Sequence, residues 1–227
     1  AQAAGIQLTY RQIFEAKTIA GLAQRVEATL PAPQPTAAPR LVTGAVPLTP
    51  IQRRFFALPH ANLHHVNQSV LLDAPQPLRA DVLITALTDL VQQHDALRLR
   101  FRPVAVGHQS MWTQHYADLD EPMRAQLAAS VHRLDLSGLP AAERQTRLAQ
   151  LNQRLQTSLN LTSGPVWQVA CVHEGADQPD RLLMIVHHLM VDWVSWPILI
   201  ADLWQSYGQR LAQEAGQEIA QPVFGNG

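Results

Sequence analysis

Apolar residues recur along this chain in two rhythms. Over residues 79–93, Val82, Ala86 and Leu90 return at helical spacing with Leu83 and Leu87 beside them, which predicts a helix buried along one stripe. Leu148, Leu151, Leu155 and Leu159 mark a second helix over 140–159, its other side rich in Arg and Gln. Leu97, Leu99 and Phe101 instead alternate with Arg98, Arg100 and Arg102, the mark of a half-buried strand with Arg100 and Arg102 on a solvated face. Further strands are expected at 66–72, around 111–116 and at 166–172, the last entered through the helix-breaking pair Gly164 and Pro165. A polar turn, EGADQPD, then leads into the apolar run 182–186, read as a buried strand. Residues 117–139 carry no clear period. Strands and helices mix throughout, so the fold class is α/β, in layers.

Punctuation divides the chain. Thr18 is placed to cap a helix whose apolar positions Ile19, Leu22, Ala23 and Val26 share one face. Residues 31–45, PAPQPTAAPRLVTGA, hold four prolines and little that is bulky, a semi-extended linker. A new domain, 46–227, opens at Thr49, Pro50 and Gln52, a capping box with proline at the first helical position and Ile51, Phe55 and Phe56 turned inward. Near its end Ser195 stands as a cap, with Pro197 in the first turn and Leu199, Leu203, Tyr207 and Leu211 down one face. The closing QPVFGNG reads as irregular.

The candidate chemistry lies at the exit of the 182–186 strand, in LLMIVHHLMVDWVSW. Neighbouring side chains of an extended chain point to opposite faces, so His187 and His188 cannot share one cleft. One working imidazole is expected there, the other being structural, with Asp192 in support. Imidazole suits acid–base work because its ordinary pKa, about 6.5, lies near operating pH. A zinc site is not indicated, since the single cysteine, Cys171, is remote and sits in an apolar stretch as a small buried hydrophobe. Charge adds only exclusions. With 17 basic and 18 acidic residues the net charge is −1, which leaves no footprint for nucleic acid or an anionic membrane. An apolar fraction of 47% supports a real core. One cysteine fits a reducing cytoplasm, and no signal peptide or run of about 18 apolar residues is present.

HHLMVD resembles the HHxxxD motif of the condensation superfamily of nonribosomal peptide synthetases, and VSWPIL, PLTPIQRRFF and VNQSVLL are similar to its epimerization branch. GIQLTYRQIFEAKTIAGLAQRV, within residues 1–30, is similar to the C-terminal end of a peptidyl carrier protein, without the serine that bears the 4'-phosphopantetheine arm. The resemblance implies the N-terminal lobe of a chloramphenicol-acetyltransferase-like fold, with a second lobe of similar size outside these residues. It further implies epimerization, L to D, of an aminoacyl or peptidyl thioester, in the cytoplasm and without a metal. The partners would be a loaded carrier protein, the second lobe and neighbouring synthetase domains.

By the same resemblance His188 is the catalytic histidine, while His187, Asp192, Arg98 and Ser195 support it, Arg98 as the partner of Asp192. A glutamate in the second lobe would serve the opposite face of the substrate, so this piece alone is expected to be inactive. Trp193 stands where the family usually has glycine. Two other readings stay open: a peptide-bond-forming condensation domain, and a catalytically silent module that docks the carrier.

Overall fold

The computed structural model of the chain describes residues 10–27, 41–107 and 109–216. It divides into two units, Ala1–Pro39 and Arg40–Gly227. In the first, α1 (Tyr10–Ala16) and α2 (Ile19–Glu27) follow each other closely, and Thr18 Oγ1 accepts the Gly21 N–H at 3.1 Å, which is the expected cap. Ile19, expected on the apolar face, is 89% exposed.

The second unit runs β1 (Gly44–Val46), α3 (Pro50–Ala57), β2 (Asn67–Asp73), α4 (Ala80–Gln93), β3 (Leu99–Val106), β4 (Gln109–Tyr116), α5 (Glu121–Ala129), β5 (Val131–Asp135), α6 (Ala141–Gln156), β6 (Trp167–His173), β7 (Arg181–His187) and α7 (Ser195–Glu214). Single 3-10 turns occupy Leu63–His65 and Asp95–Arg98. Four strands form the main sheet in the order β2-β7-β6-β5, antiparallel except for the β5–β6 pair. A smaller antiparallel sheet is ordered β1-β4-β3.

β7 lies inside the main sheet and every residue from 182 to 187 is buried, which is why its sequence is a continuous apolar run rather than an alternation. Its two faces feed two cores. Leu182, Met184 and Val186 join Leu83, Leu87, Leu90, Leu199, Leu203 and Tyr207 of α4 and α7. Leu183 and Ile185 meet Leu151, Leu155 and Leu159 in and just after α6. Polar stitches fix α4 against α7: Asp89 accepts from Arg210 Nε at 2.8 Å, from Arg210 Nη2 at 2.5 Å and from Ser206 Oγ at 2.7 Å, and His94 Nε2 meets Asp202 Oδ2 at 2.7 Å. Cys171 is buried and its thiol is pushed up to about 11 by that burial, in keeping with a small apolar filler. Among the described residues no helix is long and apolar enough to cross a membrane.

Several expectations need correction. Gly44 and Ala45, expected at the end of the linker, join Val46 in an edge strand paired with β4, Gly44 opposite Tyr116 and Val46 opposite Gln114; residues 28–40 and the QPVFGNG tail lie outside the described residues. The capping box at Thr49 forms, with Thr49 N–H to Gln52 Oε1 at 2.8 Å and Gln52 N–H to Thr49 Oγ1 at 3.4 Å, yet Ile51 is 69% exposed. Phe55 and Phe56 do pack against the core as expected, Phe56 stacked on Trp112 with ring centres 4.4 Å apart.

The unreadable stretch holds α5 and β5. Asp120 Oδ1 caps α5 through the Met123 N–H at 3.0 Å, and Met123 and Leu127 enter the core. α5 in turn overturns the solvated reading of Arg100. That side chain is 5% exposed, donating to Gln126 Oε1 at 2.6 Å and to Leu99 O at 2.9 Å. Burial without a carboxylate partner pulls its pKa down to about 10. Gly164, at φ +77°, lies against the same guanidinium, so a side chain there would be strained and would collide with it. Arg102 is exposed, as expected.

Candidate active site

The two imidazoles separate as strand parity requires. Asn67 pairs with His187 and Gln68 with Val186 across β2 and β7, and the His188 N–H continues the ladder to Val66 O at 2.8 Å. His187 is fully buried. Its Nε2 donates to Leu63 O at 2.8 Å, because a carbonyl can only accept, and its Nδ1 accepts the Leu189 N–H at 3.2 Å. One donor and one acceptor are what a neutral imidazole offers. Burial holds it in that form, pulling its pKa down to about 4 against the opposing effect of the Leu63 carbonyl.

His188 is exposed. Its Nδ1 sits 2.9 Å from Val191 O, so Nδ1 carries a hydrogen, which in the neutral ring leaves the lone pair on Nε2. The Gln68 amide nitrogen lies 3.3 Å from Nε2. Gln68 has no freedom to turn over while bonded, since its Oε1 accepts the Trp196 indole N–H at 2.8 Å. Trp196 belongs to the first turn of α7 and is itself buried at 4% exposure.

The loop between strand and helix is held locally. Asp192 Oδ1 accepts the Ser195 N–H at 2.8 Å and the Ser195 hydroxyl at 2.6 Å, and Asp192 O accepts from Ser195 N and Trp196 N at 3.1 and 3.3 Å. Those two Ser195 donors, hydroxyl first, hold the Asp192 carboxyl below its ordinary range. Ser195 is not the cap of α7 as the sequence suggested: Val194 stands at the cap position without a side-chain bond, and Ser195 is the first helical residue, giving its N–H and hydroxyl to the Asp192 carboxylate.

Arg98 is not the partner of Asp192. It is fully buried at the end of the 95–98 turn, paired with Asp95 and donating to Ala117 O at 2.7 Å, Val42 O at 3.0 Å and Val91 O at 3.3 Å. The 3-10 turn is the physical reason: β3 begins at Leu99, so the alternation read through Leu97 and Arg98 does not set where Arg98 points. Trp193 is 81% exposed. Lys17 is the only described non-glycine residue with positive φ, so the turn at 193 places no glycine-type demand on the backbone and the ring swings into solvent. Among the described residues no group of three His, Cys, Asp or Glu is arranged to hold a metal.

Residues 42–224 match the Condensation domain family. The chain belongs to that family. Across 222 residues the condensation-family chain is 42% identical to one of the linear gramicidin synthase polypeptides of Brevibacillus parabrevis, covering 98% of this chain and 4% of that protein. It is 40% identical over 222 residues to chondramide synthase cmdD of Chondromyces crocatus, again 98% of this chain and 5% of the other. Among solved structures, the epimerization domain from the third module of tyrocidine synthetase B aligns with a TM-score of 0.66 at 33% identity, over 82% of this chain and 38% of that one. The condensation-family chain thus spans a small part of the synthetases it matches, and well under half of that epimerization domain. Residues 42–224 belong to a condensation-type domain of a nonribosomal peptide synthetase.

Sequence reasoning missed two side chains of the condensation-family site and two carbonyls. Gln68 and Trp196 were visible only as letters of VNQSVLL and VSWPIL. Strand parity could have found Gln68, because a residue opposite Val186 lies diagonally across from position 188 on the same face. The carbonyls of Leu63 and Val191 leave no trace in side-chain identity.

Proposed function

We propose that this domain epimerizes the α-carbon of an aminoacyl or peptidyl thioester presented on the phosphopantetheine arm of a carrier protein. The observation that carries the reading is the His188 imidazole: exposed, its Nδ1–H committed to Val191 O, which in the neutral ring leaves the lone pair on Nε2. A thioester delivered from another domain must meet its base at the surface. A base fixed in one tautomer needs no rearrangement before proton transfer.

In the proposed step the Cα–H bond breaks, an N–H bond forms at His188 Nε2, and the electron pair moves into the thioester carbonyl to give an enolate. A proton from an acid on the opposite face then restores Cα–H with inverted configuration, and His188 returns its proton to the medium or to that acid. We assign the opposite-face acid to a second lobe, beyond these residues. His187 keeps the strand exit in place; Asp192 and Ser195 fix the loop that carries the Val191 carbonyl. Residues 1–30 are proposed to be the C-terminal end of the carrier, whose serine holds the arm. Support for inversion over condensation comes from the 33% identity to the tyrocidine epimerization domain, against 20% to the starter condensation domain of rhizomide synthetase, a likeness of fold alone.

The test is isotopic. In the full-length synthetase in deuterated water, a carrier-bound aminoacyl thioester should gain deuterium at Cα with no acceptor present. Label that enters only when a second loaded carrier is supplied, or product found only as a condensed peptide, contradicts the proposal.

A further inference from the structure

We infer that Gln68 is a positioning residue that keeps the His188 Nε2 lone pair free of hydrogen, and that Trp196 sets the direction in which Gln68 works; this rests on the reading of His188 as the base. Each link follows from what its groups can donate. An indole N–H can only donate, so the 2.8 Å contact from Trp196 Nε1 assigns the nearer Gln68 amide atom as the oxygen. The other end of the amide is then NH2, and it points at His188 Nε2 at 3.3 Å. A donor facing that nitrogen is compatible only with a lone pair there. From the far side of the ring, Val191 O at 2.9 Å requires the hydrogen on Nδ1. Two independent contacts on opposite edges of one imidazole therefore specify the same tautomer, and they come from three elements, β2, the strand-exit loop and α7.

Burial supports the direction of control. Trp196 is 4% exposed and belongs to the core cluster shared with α4, so its N–H is a fixed reference, whereas His188 is exposed and without Gln68 is guided by Val191 O alone. Val186, opposite Gln68 in the ladder, is 2% exposed, which roots the Gln68 backbone in the sheet. The contact is also releasable. At 3.3 Å it is longer than the usual 2.9–3.0 Å of an N–H···acceptor bond, so an incoming substrate can displace the amide from the lone pair without breaking a tight bond. Gln68 thus aims the base in the resting state and yields it to substrate.

Inverting that donor in the full-length synthetase tests the inference. Gln68→Glu keeps the shape and the acceptor for Trp196 but presents an oxygen to His188, favouring a hydrogen on Nε2. Gln68→Leu removes the contact and leaves Val191 O as the only guide. Each is tested by the turnover number and KM for α-proton exchange on a loaded carrier. Each is also tested, without substrate, by the rate at which diethyl pyrocarbonate acylates His188, read by peptide mass spectrometry, since that reagent attacks an exposed nitrogen lone pair. The expected result is a turnover loss on the order of 100-fold for Gln68→Glu, the scale of general-base catalysis, a smaller loss for Gln68→Leu, unchanged KM and slower labelling of His188 in Gln68→Glu. Parent-rate labelling in Gln68→Glu, or equal losses in both variants with a raised KM, would overturn the inference. Failure of the underlying reading looks different: His188→Ala would exchange the α-proton at the parent rate, while the labelling rates still report what Gln68 does to the ring.

Discussion

The pocket around Arg98 and the loop from His188 to Ser195 were expected to meet as two halves of one ion pair, and they are held by opposite means. Arg98 has no solvent: Asp95 and three carbonyls take up its donors, tying the end of α4, the exit of β4 and the segment before β1 to one guanidinium. The loop keeps its charge in water, with Asp192 exposed and satisfied by the backbone and hydroxyl of a residue three places on. One region spends its charge on holding the fold; the other uses short-range bonds to place a carbonyl beneath a histidine. A charged pair in a family motif can therefore be read as a contact when its members belong to separate tasks.

The largest effect expected from this contrast is at Arg98. Replacing it by leucine leaves three carbonyls and the partly exposed Asp95 without their donor, and each buried acceptor left unsatisfied costs about 1–3 kcal/mol. Arg98→Leu should show that loss in denaturant unfolding; a loss as small as that of a surface substitution would contradict the buried clamp.

His187 comes next, through pH. Its folded pKa of about 4 lies below the roughly 6.5 of an unfolded imidazole, so between these values the unfolded chain binds more protons. Stability should fall as pH is lowered from about 6.5 toward 4, by up to about 1.4 kcal/mol per pH unit from this group. His64, also held below its ordinary value by burial, acts in the same direction, so the measurement is the difference between the parent and His187→Gln. The variant should show the shallower slope over that window; identical slopes would remove His187 from the account.

The smallest effect is at Asp192. As an exposed carboxylate that accepts two donors of Ser195, its replacement by alanine should lower stability by only about 1 kcal/mol. A loss of several kcal/mol in thermal or denaturant unfolding would restore a buried ionic partner for Asp192 and undo the comparison.

How much of this was legible depended on range. The α4 stripe, the β7 run and the Thr49 capping box are written in side chains a few residues apart, and each formed close to where its pattern lay. Arg100 was not legible because what covers it, α5 and Gly164, comes from elsewhere in the chain, and α5 itself is short with two buried residues. Arg98 was misread because a single 3-10 turn breaks strand parity, and three of its four partners are backbone carbonyls, two of them far away in sequence. At the site, the division between His187 and His188 followed from strand geometry. The groups that give each ring its proton did not, since Leu63 and Val191 act through the backbone.

On the proposed reading the exposed histidine does the chemistry while its buried neighbour holds structure. The most direct measurement pairs α-proton exchange with unfolding in the full-length synthetase bearing His188→Ala. The account predicts a rate lower by at least about 100-fold with the unfolding transition unmoved, because an exposed imidazole contributes little packing. A variant that exchanges the α-proton at the parent rate, or that loses exchange only because the domain unfolds, would contradict it.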